Sequence, residues 1–232
     1  MPIRLLSAPE HPASISDMVQ QHLREGILSG ALRAGQALKQ DEIATQLGVS
    51  RAPVREALNQ LERDGLAILR PRRGFVVASL ETDEIADIFN LRMLLEAHAG
   101  RAAAEKRTLK DIAAVRKLLA AMDELTMDSP AAIARWAALN RAFHDAIYLA
   151  SGSSRLRQIT ANLRDAVEQY VRLDALTAKH IGNAQAEHRL IVEAFVAGDA
   201  ERVATLSREH CRHTRDRLIA ALHRRRPGVA AE

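Results

Sequence analysis

Three histidines in the C-terminal half of the chain have a spacing that would let them bind one metal ion: His144, His188 and His210. His188 and His210 are about equally far from Gly198-Asp199, which predicts the turn of an antiparallel helical hairpin. Residues equally far from such a turn lie at the same height, so the two imidazoles can meet between the helices. His144 has Asn140 one helical turn before it, and such a pair can chelate an ion. Converging imidazoles in an apolar bundle indicate a first-row divalent metal with an open coordination position.

A simpler interpretation competes with the metal site. Taken singly, each histidine is better explained as a hydrogen-bonded core or surface residue, and the spacing alone leaves the two interpretations about even. Glu187 and Cys211 adjoin two of these histidines in the sequence. Consecutive helical residues point about 100° apart, so neither neighbour is assigned a role.

Two arginines near the start of a predicted helix, Arg51 and Arg55, have the chemistry of DNA recognition. Their helix follows a short helix and a tight turn at Gly48, an order typical of a helix-turn-helix. The N-terminal end of such a helix enters the major groove, where arginine donates to guanine O6 and N7 or holds a phosphate. A hairpin with a basic tip from Arg70 to Gly74 follows and predicts a wing that contacts DNA. The alternative, a solvated amphipathic helix beside an incidental basic loop, is disfavoured by this ordered combination.

Hydrophobic periodicity and turn residues predict the elements that position these side chains. In the N-terminal part we expect a loop from Leu32 to Leu38, helices at 16–28, 40–47 and 51–64, and a hairpin of 66–70 and 75–77. The C-terminal part predicts six helices with short connections, at 82–106, 108–127, 130–151, 153–175, 179–197 and 199–225. The predicted fold is therefore mainly α, with a winged helix-turn-helix domain over residues 1–79 and a six-helix antiparallel bundle over residues 80–232.

The composition fits globular domains in a reducing compartment. Of the 232 residues, 47% are hydrophobic and 27% are charged, and the formal charge of +4 permits a polyanionic partner without requiring one. The single cysteine excludes an internal disulfide, and no apolar run approaches the ~18 residues of a membrane span. We therefore expect a cytoplasmic protein with no membrane contact. The proline-containing N-terminal residues predict a loose arm, and the basic residues 224–228 predict a frayed tail.

The segment 41–77 closely resembles the winged helix-turn-helix of the GntR family of bacterial transcription regulators, most specifically in its stretch GVSRAPVREAL. The resemblance implies a set of DNA-binding residues on the second helix and the wing: Ser50, Arg51, Ala52, Arg55, Arg73 and Gly74. It also implies a homodimer that binds a palindromic operator. Asp41 departs from the pattern, because some relatives have an arginine near this position.

Two segments of the C-terminal half resemble the sensing domain of the FadR subfamily, called FCD: residues 139–156 and 186–210. Six rather than seven predicted sensing helices resemble its VanR-like branch. In many relatives an aspartate and three histidines hold a metal ion. The resemblance implies that His144, His188 and His210 bind a divalent transition metal, Zn²⁺ or Ni²⁺, with Asn140 in the place of the aspartate. An amide oxygen is a poorer ligand than a carboxylate, so we expect weaker metal binding or an extra open position.

A bound metal would accept the carboxylate of a small organic acid, which is therefore the expected effector. The family-like pattern R-x-x-x-E places Arg92 one turn before Glu96, and by resemblance Arg92 clamps this effector. An ion pair of Arg92 with Glu96 on the helix surface is the alternative. The sequence thus predicts a ligand-responsive transcription regulator, and not an enzyme. Two rivals stay open: a regulator for which the ion is itself the signal, and a metal-dependent hydrolase, although no H-E-x-x-H motif is present.

Overall fold

The computed structural model describes residues 14–175 and 178–225, and its contacts divide the chain into two compact units between Ser79 and Leu80. The predicted N-terminal arm and the end of the basic tail lie outside the described residues. Within the described ranges, no helix combines the length and the apolar character needed to cross a membrane.

The N-terminal unit is a winged helix-turn-helix. Its elements in chain order are α1 (Ile15–Ser29), β1 (Ala37–Leu38), α2 (Gln40–Leu47), α3 (Arg51–Arg63), β2 (Ala67–Arg70) and β3 (Gly74–Val77). The strands form an antiparallel sheet in the order β1-β3-β2, and we call the β2–β3 hairpin the wing. The inner face of α3 is fully buried through Val54, Leu58 and Leu61. The arginines in the first turn of α3 are therefore left at the surface.

The loop predicted from Leu32 to Leu38 is wrong at its end, because the last two residues form β1. This short strand pairs with β3, and next to it the Val77 N–H donates to the Gln36 carbonyl at 2.8 Å. A strand of two residues has too little alternation to be recognised, and its hydrogen bonds come from a strand far along the chain.

The C-terminal unit contains six helices in the described part of the chain, as predicted. They are α4 (Thr82–Lys106), α5 (Leu109–Asp123), α6 (Pro130–Leu149), α7 (Ser154–Ala175), α8 (Ala178–Ala197) and α9 (Ala200–Arg225). Local capping explains several boundaries. The side chains of Thr108 and Ser129 accept hydrogen bonds from the first turns of α5 and α6. Gly198 ends α8 with a φ of 78°, a left-handed conformation that glycine adopts without strain.

Close packing of α4 against α9 positions the centre of this unit. A Cβ atom on Gly100 of α4 would lie 2.9 Å from Cγ1 of Val203 on α9, so the two backbones approach as only glycine permits. Phe143, Tyr148 and Phe195 are among the large side chains buried in the same unit. A polar group in such surroundings needs a partner, because burial without a hydrogen bond is costly.

Candidate functional site

The structure brings His144 of α6, His188 of α8 and His210 of α9 together inside the bundle. The ring centroids of His188 and His210 are 4.8 Å apart, and each lies 5.2 Å from that of His144. One ligand nitrogen from each residue lies within 4.8 Å of the others, and all three side chains are buried. We call these residues the histidine trio. The hairpin of α8 and α9 thus produces the meeting of His188 and His210 that their distance from the turn predicts.

A hydrogen-bond network fixes the tautomer of His188. The Gln185 Oε1 lies 2.9 Å from His188 Nδ1, and Gln185 Nε2 donates to Asp123 Oδ1 at 2.7 Å, which sets the orientation of the amide. An amide oxygen only accepts, so Nδ1 of His188 carries the proton and Nε2 keeps its lone pair. That Nε2 is buried and has no hydrogen-bond partner among the described residues. An unsatisfied buried acceptor is costly, and a bound ligand would remove this cost.

Glu187 was expected to have no role, and this expectation is wrong. Its carboxylate accepts hydrogen bonds from Nδ1 of His210 at 2.6 Å and Nδ1 of His213 at 2.9 Å. Burial works to raise the pKa of Glu187. The hydrogen bonds from His210 and His213 and the positive charge of Arg217 nevertheless hold this pKa below its ordinary value. Metal-binding histidines commonly donate their second N–H to a carboxylate, which fixes the tautomer and raises ligand basicity. Glu187 therefore leaves Nε2 of His210 as the available ligand atom.

A cavity of about 50 Å³ lies against the histidine trio, lined in part by His144 and His210. Asn140, predicted as the fourth ligand, also lines this cavity. Its Oδ1 is buried, and no described residue forms a hydrogen bond with it. The amide oxygen is therefore free to bind a ligand on the same side of α6 as His144.

Arg92 forms the predicted ion pair with Glu96, but the pair is buried and does not lie on the helix surface. Its Nε donates to Glu96 Oε1 at 2.7 Å, and the Tyr148 hydroxyl donates to the other carboxylate oxygen at 2.5 Å. Burial works to raise the pKa of Glu96, but Arg92, Arg164 and the bond from Tyr148 hold it below its ordinary value. Arg92 also lines the cavity. Arg92, held in place by Glu96, thus contributes a fixed charge to the wall of the cavity.

Arg164 of α7 is a cavity residue that was not predicted from the sequence. Its Nη2 donates to Asp145 of α6, and its guanidinium carbon lies 5.2 Å from the centre of the Tyr148 ring. Arg164 is only 7% exposed, yet in the described part of the chain its buried Nε and Nη1 atoms have no hydrogen-bond partner. A buried guanidinium with unused donors can bind an anionic group strongly, because such hydrogen bonds are charge-assisted.

Burial, together with the neighbouring imidazoles, holds the pKa of His144 and of His188 well below the ordinary value of 6.5. In chelator-treated protein, we expect the free energy of unfolding to fall as the pH drops below 6.5, because the unfolded chain binds protons that these folded imidazoles do not. The slope is about 1.4 kcal/mol per pH unit for each such histidine. Denaturant unfolding between pH 7.5 and 5 measures this slope of the unfolding free energy. H188Q should remove about half of the slope that His144 and His188 contribute together. Identical slopes in the wild type and H188Q would contradict the lowered pKa of His188.

The residues predicted to contact DNA are all exposed at the surface of the N-terminal unit: Ser50, Arg51, Ala52, Arg55, Arg73 and Gly74. Ser50 precedes α3 but makes no side-chain capping bond, and the first turn of α3 contains no acidic residue. The positive end of the helix dipole and the guanidinium of Arg55 are therefore available to an anion, while the Arg51 guanidinium lies 2.8 Å from the Asp41 carboxylate. In the wing, Arg72 and Gly74 adopt left-handed φ values of 64° and 73°, which make the basic turn tight.

A winged helix-turn-helix with a basic first turn, joined to a helical bundle around a polar buried cavity, defines the class of DNA-binding regulators with a sensing domain. The chain matches the bacterial regulatory proteins of the gntR family over residues 15–77 and the FCD domain over residues 87–213. The chain therefore belongs to the GntR family, with an FCD domain at its C-terminal side. Both predictions of family are thereby confirmed.

Relatives and a solved structure agree with this membership. The chain is 30% identical over 215 residues to the uncharacterized HTH-type transcriptional regulator BphR of Paraburkholderia xenovorans (strain LB400), covering 88% of this chain and 86% of that protein. It is 30% identical over 188 residues to the probable D-xylose utilization operon transcriptional repressor of Paenarthrobacter nicotinovorans, covering 81% of each. The structure of McbR/YncC of E. coli matches with a TM-score of 0.74 and 25% identity, over 92% of this chain and 99% of that one. The protein is thus a DNA-binding transcriptional regulator and not an enzyme, since its family and relatives are regulators.

Proposed function

We propose that this regulator controls operator binding in response to a small carboxylate, which it senses at a metal site in the helical domain. His144, His188 and His210 would hold a divalent transition ion, Zn²⁺ or Ni²⁺, with Asn140 as a weaker fourth ligand. The observation that carries the proposal is a pair of buried acceptors without a hydrogen-bond partner among the described residues, namely Nε2 of His188 in the histidine trio and Oδ1 of Asn140 in the cavity wall.

The donor set fits such an ion. The trio offers imidazole nitrogens, the ligand type that Zn²⁺ and Ni²⁺ accept readily, and two of the three rings are already oriented by Gln185 and Glu187. Since the trio and the amide of Asn140 contain no carboxylate, the full charge of a divalent ion would be left to attract an anion. When bound, the ion would supply a Lewis-acidic position for a carboxylate oxygen.

The size and charge of the cavity support a small acid as the effector. Its volume of about 50 Å³ suits a small molecule. Arg92 is the effector clamp implied by the family pattern, but its Nε is occupied by Glu96. Arg164 has two unused donors on the same cavity. We therefore assign the main charge-assisted contact to Arg164 and a supporting one to Arg92.

DNA recognition in this proposal uses the surface of α3 and the wing. Arg51 and Arg55 would enter the major groove with Ser50 and Ala52 at the same edge, and Arg73-Gly74 would follow the backbone. A homodimer would present two such surfaces to a palindromic operator. The effector can change operator affinity only by the difference in its binding to the two states of the protein.

Isothermal titration of zinc-loaded, full-length protein with acetate, lactate and malonate tests the effector site. We expect at least one acid to bind, and R164Q to weaken its affinity by about tenfold or more, because charge-assisted hydrogen bonds to a buried guanidinium are lost. R157Q is the matched control, since Arg157 is an exposed arginine of the same helix. Equal acid affinity in R164Q and R157Q would contradict the assignment of Arg164. Absence of binding by all three acids would instead favour the rival in which the ion is the signal.

A further inference from the structure

Asp41 of α2 contacts Arg51, the first residue of α3. The Arg51 Nε lies 2.8 Å from Asp41 Oδ1, and the two side chains are 68% and 70% exposed. The Thr45 hydroxyl donates to the Asp41 carbonyl, so this neighbour uses the backbone and not the carboxylate of Asp41. The pair therefore joins the two helices of the helix-turn-helix at the surface that is expected to meet DNA.

The contact occupies only one part of the Arg51 guanidinium. Arginine has five N–H donors in a fixed planar arrangement, and the Asp41 carboxylate forms an ion pair on the Nε side of this arrangement. The two terminal Nη groups can still present a parallel pair of donors, which matches O6 and N7 of guanine. An arginine that is already fixed by a carboxylate also loses less rotamer entropy when it binds a base.

The carboxylate of Asp41 has the opposite effect on phosphate. In non-specific complexes arginine side chains bind the DNA backbone, and a carboxylate next to them is repelled by phosphate oxygens. The edge of a G·C pair repels a carboxylate less than phosphate does, because beside the acceptors O6 and N7 it presents the cytosine N4 amino group, which donates to carboxylates. Asp41 would thus weaken non-specific binding more than specific binding.

We propose that Asp41 is a specificity-determining residue, which holds Arg51 in position to read one guanine and disfavours its use on phosphate. The inference rests on the proposed DNA-binding role of Arg51. Asp41 itself acts as a positioning residue, through Arg51.

The test uses full-length protein and the operator that it selects from a random duplex library at a fixed salt concentration. Dissociation constants are measured for this operator, for versions with each base pair replaced in turn, and for an unrelated duplex. The variants are D41N, R51A, the double variant and E42Q. Glu42 is the matched control, because it lies in the same exposed turn of α2 and pairs only with Lys39, at 2.7 Å, in the described structure.

R51A is expected to lose discrimination at one base pair, which identifies the guanine that Arg51 reads. D41N should lose about two- to fivefold of the discrimination at that same base pair, the range that an exposed ion pair can supply, and bind the unrelated duplex more tightly. The double variant should lose no more than R51A alone, because the two residues act as a unit. E42Q should retain full discrimination.

Equal changes in D41N and E42Q at every sequence would overturn the proposal, since Asp41 would then be a general surface charge. Loss of discrimination by D41N at a different base pair from that of R51A would overturn it as well. Failure of the wild-type protein to select any sequence would overturn the DNA-binding proposal itself, and this result is distinct from the other two.

Discussion

Replacing Arg51 and Arg55 together by alanine is expected to weaken operator binding by about a hundredfold or more. Each arginine that contacts a base edge contributes about 1–3 kcal/mol, and the two lie on one face at the beginning of α3. Both side chains are exposed, and an exposed ion pair such as Arg51–Asp41 contributes less than about 1 kcal/mol to stability. The melting temperature should therefore stay close to that of the wild type. Fluorescence anisotropy with a labelled operator measures the loss.

The control for this experiment is an arginine at the opposite end of the same helix. Arg63 is exposed in the last turn of α3, where it donates to Gln60. R63A removes the same charge per residue and should lower affinity only slightly. If R63A weakened binding as much as the replacement of Arg51 and Arg55, net charge and not the first turn of α3 would explain DNA binding.

Replacing His188 by glutamine is expected to weaken Zn²⁺ binding by about a hundredfold or more. The residue is fully buried, and its Nε2 has no partner that could substitute for an ion. Loss of a residue that only orients a ligand costs about 10–100-fold in metal affinity, and loss of a ligand costs more. E187Q should accordingly show the smaller loss, because Glu187 orients His210. Competition with a chromophoric chelator measures all three affinities.

H98Q provides the comparison for the metal experiment. His98 is an exposed histidine of α4, so its replacement removes an imidazole without touching the cavity. Unfolding of each chelator-treated variant, followed in parallel, shows that the bundle is folded before metal is added. Equal zinc affinity in H188Q and H98Q would contradict the histidine trio as the metal site.

Several helix ends could be predicted because the signals that fix them are local, whereas the end of α5 was predicted at residue 127 and lies at Asp123. Thr108, Ser129 and Gly198 act within one turn of the helix end that they define, and the structure places ends of α5, α6 and α8 beside them. The strand β1 could not be predicted, since its partner β3 lies far along the chain. Two residues are too few to show the alternation of apolar and polar residues that indicates a strand, so β1 is defined only by its pairing with β3.

The same distinction between local signals and distant packing applies to the residues of the candidate metal site. His188 and His210 could be matched because one hairpin turn relates them, so their distances from Gly198 fix their relative height. The role of Glu187 was missed because only its direction relative to His188 was considered. A residue pointing away from His188 on α8 can still contact His210 on α9. A search for carboxylates facing α9 across this hairpin could have found it.

Arg164 could have been placed by the same reasoning. It reaches the cavity because α7 packs beside α6, where its partner Asp145 lies. Arg164 and Asn140 are equally far from Gly152 in the short turn between α6 and α7, so they are expected at the same height of this hairpin. The burial of Arg92 and Glu96 could not be predicted in this way, since it depends on the close approach of α4 to α9 at Gly100.

The most direct test of the central claim is the operator dissociation constant of the full-length protein, measured by anisotropy at one salt concentration in four conditions. The four conditions are protein without additions, protein with Zn²⁺, protein with the small acid alone, and protein with both. We expect the acid to change the dissociation constant by about 5–150-fold, the usual range of allosteric coupling, only when Zn²⁺ is present and not in H188Q. A dissociation constant that stays the same when the acid saturates the zinc-loaded protein would contradict the account.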